Sequence, residues 1–262
     1  MTDIVALSAP QVEAFLMALL RTGGFVASAP LLSHKSIPKS VKIGLSVALA
    51  IVLTPLLLSK LPAAPLHMAQ LVGMGVQEIV TGVIVGFGFT LLFTGLQAAG
   101  ELVGLQVGFA LANMYDPASQ RQIGVLAQFE LILGMLVFFA IDGHHLMLRA
   151  FFDSYQVIPV AGMQFTASGM DELIRLSGAM FVIAIKVAAP VMGAIFLTET
   201  ALGIVARTVP QMNVFIVGFP LKIAVGLFMV ASALPLFSTV FGKLLYQLNG
   251  ALDHVLSRLV VP

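Results

Sequence analysis

Seven charged residues stand where charge is costly: Arg21, Glu78, Glu101, Glu130, Lys186, Glu199 and Lys222 lie in or at the edge of apolar segments. Insertion scales put a charge at the centre of a membrane helix at about +2.5 to +3.5 kcal/mol, so turning all of them to lipid would cost on the order of 18–25 kcal/mol. Two chemistries accommodate them. In a secondary transporter such groups bind protons or a solute near the midplane, and Lys186 with Glu199 is the favoured pair. Thirteen positions separate these two, about 19–20 Å along a continuous helix, so they cannot meet within one element. In an assembly, the same residues are helix-end and interhelical charges that meet neighbouring chains or water. Composition leaves both readings open.

Other reactive groupings are weaker. His144 and His145 follow Asp142, but adjacent imidazoles point differently from a chelating i, i+4 pair, and no second cluster completes a metal site. The run Gly82-x-x-x-Gly86-x-Gly88 lies within apolar sequence and lacks the Lys-Ser/Thr that a phosphate loop needs. Cysteine is absent, which removes disulfides, thiol nucleophiles and thiolate metal sites. The serines form no triad-like constellation, so neither an enzyme nor a bound cofactor is expected. Basic residues are scattered as Lys35, Lys39 and Lys42 under a net charge of +1, which gives no footprint for nucleic acid.

The elements that position these charges follow from composition. Of 262 residues, 59% are hydrophobic and 10% charged, with a mean hydropathy of +1.05, against roughly 25% charged in soluble domains. The chain reads as all-α, an integral membrane or membrane-assembled protein of helical hairpins in contact with lipid. Apolar segments near 12–32, 41–59, 66–111, 123–141, 173–206 and 212–248 give about six long, partly kinked helical elements. Only Ile79–Gly100 and Ile223–Gly242 approach the ~20 uncharged residues of a clean span. Pro55, Pro190 and Pro235 fall inside apolar runs and are expected to kink or end their helices. The interval from Asp142 to Glu172 reads as an ordered external loop with a short interfacial helix. No Lys or Arg precedes Arg21, so the first apolar segment lacks the basic start of a cleavable leader and is expected to be retained.

Two breaks stand out. Around Pro210, Gln211 and Asn213, the chain lacks an amide donor, Val209 is biased away from helix, and amide side chains are at hand for freed backbone groups. That is the expected tip of a helical hairpin, with Arg207 and Lys222 on its arms. Between Leu111 and Ile123, the turn formers Asn113, Asp116 and Pro117 flank the adaptable Met114 and Tyr115. This is either an interfacial turn or a loop that plugs a passage. Gly82 and Gly86, then Gly100, Gly104 and Gly108, repeat at four-residue spacing, which lets other backbones approach closely, within the chain or from a partner.

The core Arg207-x-x-Pro210-Gln211-Met212-Asn213-Val214-Phe215 closely resembles that of the FliR family of flagellar export-gate proteins. The Asp116-Pro117 turn, the Asp142-Gly143-His144 loop and the Arg21…Pro30 helix end are similar to that family in the same order. Injectisome export gates share the Arg-x-x-Pro-Gln core, and Gly218-Phe219-Pro220-Leu221-Lys222 looks more like the flagellar branch.

The resemblance implies a subunit of a helical multi-subunit channel in the bacterial inner membrane, at the flagellar basal body and raised to the periplasmic side. FliP and FliQ are the implied partners within the channel, with FlhB and FlhA beside it and flagellar proteins as the exported substrates. It further implies a FliP-like part over 1–172 and a FliQ-like hairpin over 173–262. The family's plug maps onto residues near 106–122, where Gln106, Phe109, Leu111, Asn113, Met114, Tyr115, Asp116 and Pro117 form the gate. Leu111 and Met114 stand where family members often carry phenylalanine, a change that keeps the closure apolar.

Overall fold

The computed structural model describes residues 9–58, 67–109, 124–209, 211 and 213–260. Among them the regular elements are all helices: α1 (Ala9–Ser28), α2 (Lys39–Leu58), α3 (Met68–Val107), α4 (Val125–Ala140), α5 (Gly143–Val157), α6 (Ala167–Thr208) and α7 (Val214–Arg258). Four of these, α2, α3, α6 and α7, are long and apolar enough to cross a membrane, and α4 with α5 adds a fifth if the two make one broken span.

The apolar runs of the sequence map onto these helices with one difference. The interval expected to be an external loop with a short interfacial helix holds α5, whose inner face is packed. Met147, Ala150, Phe151, Ser154 and Tyr155 are buried at three- and four-residue spacing, which is one side of a helix. The charges that made the interval look loop-like sit on the other side, where Arg149 and Asp153 face each other at 3.8 Å. Pro55, Pro190 and Pro235 lie inside helices that continue past them, as does Pro220.

The chain divides into two compact units, neither of which is a single stretch of sequence. The first holds the described residues up to Leu91, His144–Ser177 and those from Gln247 on. Its core joins α1, the first part of α3, α5 and the end of α7. Gly24, Gly82 and Gly86 are the points of closest approach between α1 and α3. A Cβ on Gly24 would strike the Ile79 carbonyl oxygen, one on Gly82 the Arg21 carbonyl oxygen, and one on Gly86 would lie 2.6 Å from the Ala29 nitrogen. Backbones this close gain dispersion contacts that any side chain would forbid. Phe25 stacks on Phe151 with 4.4 Å between ring centroids. At the far end, the Gln164 amide donates to the Leu259 carbonyl at 2.8 Å, and Thr166 Oγ1 donates to that of Arg258 at 2.6 Å.

The second unit holds Leu92–Gly143 and Gly178–Tyr246. Its core gathers Ala99, Val103 and Val107 of α3, Leu126 of α4, and Ala188, Val191 and Ile195 of α6. Gly100 admits α4, since a Cβ there would lie 2.5 Å from Ala127 Cα, whereas Gly104 meets open space. Phe93 makes edge contacts with Phe138 at 5.4 Å and Phe241 at 6.0 Å. Much of α6 and α7 remains uncovered.

Candidate functional site

In the first unit the two earliest charges of the apolar runs meet. Arg21 is completely buried and Glu78 is 1% exposed. Arg21 Nε donates to Glu78 Oε2 at 2.6 Å and Nη2 to Oε1 at 2.9 Å, the bidentate fork that matches a guanidinium to a carboxylate. Nη1 donates to the carbonyls of Ser154 at 3.3 Å and Ile158 at 3.0 Å. Glu78 Oε1 also accepts the Ala161 amide at 3.2 Å. The guanidinium carbon lies 4.0 Å from the centre of the Tyr155 ring, a cation–π contact strengthened by the absence of water. A buried ion pair survives only when hydrogen bonds satisfy the remaining donors and acceptors. Here α1, α3, α5 and the segment after α5 each supply part of that satisfaction.

Local backbone geometry serves the same centre. Ala161 has φ +58°, a left-handed conformation disfavoured for an alanine, and in that conformation its N–H points at Glu78. Arg21 and Glu78 share one local signal in the sequence, although it does not name them as partners. Gly24 lies one turn after Arg21 and Gly82 one turn after Glu78, so each helix carries a charge and a glycine on one face. The contributions of Tyr155, the two carbonyls and Ala161 had no such signal.

In the second unit, α6 and α7 run as antiparallel arms. Lys222 on α7 pairs with Glu199 on α6, and Gly218 packs on Leu202. The transporter pairing of Glu199 with Lys186 is thus replaced, because Lys222 takes the carboxylate. The Lys222 ammonium also lies 6.0 Å from the centre of the Phe219 ring. Near the tip, the Asn213 carbonyl and Oδ1 accept the Ile216 amide at 3.1 and 3.4 Å, so Asn213 caps α7. Arg207 and Gln211 are exposed there, and Pro210 lies outside the described residues.

The remaining charges are dispersed. Glu101 is exposed and accepts a bond from Gln97 Nε2 at 3.1 Å. Glu130 is buried within α4, and one of its oxygens has no hydrogen-bond partner among the described residues. Lys186 is exposed at a groove between α6 and α7.

Of the expected plug, Leu111, Asn113, Met114, Tyr115, Asp116 and Pro117 lie outside the described residues. Its entrance is described. Gly108 has φ +99° and ends α3, its amide donating to the carbonyls of Gly104 and Leu105 at 3.2 Å each. Beyond it Phe109 packs, partly buried, on the core formed by α3, α4 and α6. Gln106 Oε1 is buried without a partner among the described residues.

Helices of this length and apolarity, with opposite charges fused in a dry core and apolar faces left open, define an all-helical membrane protein. Residues 12–248 match the family model for bacterial export proteins, family 1. The flagellar biosynthetic protein FliR of Escherichia coli K12 is 30% identical, over 94% of this chain and 93% of that protein. FliR of Pectobacterium carotovorum is 31% identical over 95% and 94%, and FliR of Bacillus subtilis 168 is 34% identical over 83% and 84%. The chain belongs to the FliR family of bacterial export proteins.

Proposed function

We propose that the chain is a subunit of the flagellar type III export gate, which passes unfolded flagellar proteins across the bacterial inner membrane. The observation that carries this reading is the match to flagellar FliR proteins over nearly the whole chain. A second observation agrees with it. Helices α6 and α7 have 42 and 45 residues, about 60–70 Å at 1.5 Å per residue, or twice the ~30 Å hydrocarbon layer. Lipid alone cannot cover their apolar faces, and neighbouring protein can.

In this reading FliP and FliQ copies surround the chain in a heteromeric channel, with FlhB and FlhA at the cytoplasmic side and the assembly raised toward the periplasm. Residues 1–172 form a FliP-like part and 173–262 a FliQ-like hairpin with its tip at 207–213. The loop near 106–122 is the plug. Gly108 turns the chain out of α3, Leu111, Met114 and Tyr115 close the passage by apolar packing, and Asp116 and Pro117 set the bend. Dewetting of an apolar constriction excludes ions, while flexible side chains yield to a polypeptide. The chain acts as a passage rather than as a catalyst, and the energy for export comes from its partners.

Two experiments test the reading. Native mass measurement after co-expression with FliP and FliQ should give one heteromeric particle that contains this chain; an active particle of this chain alone would sink the proposal. Deleting Leu111–Tyr115 should raise ion leakage through the assembled gate, and unchanged conductance would remove the plug from the account.

A further inference from the structure

The groove between α6 and α7 has a volume of about 260 Å³ and is lined by Lys186, Val187, Pro190, Met229, Leu236 and Phe237 among others. Its walls are almost entirely apolar, and its one charge is the Lys186 ammonium, which is exposed and paired with no carboxylate of the described residues. No acid of the two lining helices is close in sequence. On α6 the nearest charges are Arg175 and Glu199, and on α7 the stretch between Lys222 and Lys243 carries none. Glu199 is already held by Lys222. Pro190 lies one turn further along the same wall and has no N–H to give the carbonyl of Lys186 four residues earlier.

We propose that this groove seats a helix of a different protein chain, apolar on its contacting face and bearing an aspartate or glutamate that pairs with Lys186. The proposal rests on the reading of this chain as one subunit of an assembly, and it specifies the chemistry of the neighbour. A phospholipid would offer a phosphate instead. The nearest charged positions along α6 lie about 16–20 Å from Lys186 at 1.5 Å per residue, so where this uncharged run crosses hydrocarbon its central lysine stands beyond easy snorkelling reach of a headgroup. A carboxylate on a packed helix can stand at that depth, because the pair is neutralised and the rest of the groove is filled by side chains.

The test uses the full chain in cells that make the complete flagellar export apparatus. A photo-reactive p-benzoylphenylalanine replaces Leu236, and the cross-linked peptide is sequenced. The expected product joins this chain to an apolar segment of another protein with an Asp or Glu within one helical turn of the adduct. Adducts with lipid only, with a second copy of this chain, or with a segment lacking any acid overturn the proposal.

K186E is made in parallel. It should lower recovery of the assembled complex and secretion of flagellar protein at least tenfold, with unchanged amounts of this chain in the membrane. Replacing the identified acid by lysine in the K186E background should restore most of both. Assembly of K186E at wild-type levels overturns the proposal, as does failure of the charge swap to restore it. If the wild-type particle assembles and exports while Leu236 labels lipid, the groove proposal falls and the gate reading stands. If no partner co-purifies with the wild-type chain, the gate reading falls with it.

Discussion

The core where α1, α3 and α5 meet and the α6–α7 hairpin handle the same materials in opposite ways. Each contains long apolar helices that carry a basic and an acidic residue. In the first, Arg21 and Glu78 vanish from solvent inside hydrogen bonds from four parts of the chain. In the second, Glu199 and Lys222 stay 41% and 22% exposed, and Lys186 finds no carboxylate among the described residues. Burial also differs from helix to helix, and α2, which flanks the first core, is covered over only 22% of its apolar stretch. In the most apolar eighteen residues of α3, 67% are buried, against 28% in α6 and 6% in α7. A chain that finishes one region internally and leaves the other open is folded for itself in the first and, on the proposed export-gate reading, for its neighbours in the second.

That contrast breaks first if the Arg21–Glu78 centre is dispensable. Removing one partner of a buried, hydrogen-bonded pair leaves the other charge dry and unanswered, which costs about 3–5 kcal/mol. Arg21→Ala or Glu78→Ala should therefore lower the thermal midpoint of the detergent-solubilised chain sharply and expose α1 to protease. Arg21→Met combined with Glu78→Leu should recover much of the loss, since an apolar replacement of both charges removes the desolvation penalty. Arg21→Lys should fall between, because an ammonium cannot make the fork. Equal stability in all four would mean that the centre is not as closed as its geometry.

Glycine substitutions sharpen the contrast. Gly82 touches the α1 backbone, while Gly203 on α6 has nothing within 4 Å of where a Cβ would be. Gly82→Leu should destabilise the isolated chain by about 1–3 kcal/mol or prevent its folding. Gly203→Leu should leave isolated stability unchanged or slightly higher, because glycine is a poor helix former. If the open face of α6 is an assembly surface, Gly203→Leu should instead reduce recovery of the complex on native gels. A Gly203→Leu chain that is unstable alone would show that α6 has internal contacts beyond those described.

These elements also show what sequence carries. The helices were legible because apolar runs punctuated by Pro, Gly and charge leave few alternatives to helix in a chain this hydrophobic. The start of α7 was legible from Asn213, which caps it locally. Which charge meets which was not. Pairing depends on helix rotation and depth, so the sequence favours Lys186 for Glu199 on the transporter reading, whereas the fold gives that carboxylate to Lys222. The packed face of α5 was hidden for a different reason: Arg149, Asp153 and their neighbours on its outer side made the whole interval read as polar. Gly82 and Gly86, whose partner was open in the sequence, face α1 of the same chain.

The exposed pair is the next test. Screening by solvent leaves a half-exposed Lys–Glu contact worth about 0–1 kcal/mol, so Lys222→Ala should barely move the thermal midpoint of the isolated chain. A drop like that of Glu78→Ala would erase the distinction between the two regions. Motility is the more sensitive measurement, since a loss of swimming at unchanged isolated stability would assign Lys222 to the assembled state.

The smallest effect tests how completely the first region is optimised. Ala161 holds a left-handed backbone, which costs an L-residue about 1–2 kcal/mol, and it does so where its amide reaches Glu78. Ala161→Gly removes that strain but adds freedom to the unfolded chain, which takes back about 0.5–1 kcal/mol. The net expectation is a gain of a few tenths to about 1 kcal/mol, read as a small rise in thermal midpoint. The gain should persist in the Lys222→Ala background, where the ion-pair centre is intact. It should shrink in Glu78→Ala, where the amide has lost its acceptor and the loop no longer needs that conformation. Equal gains in the two backgrounds would show that the turn is set by its own sequence, with the ion pair occupying a site the backbone had already built.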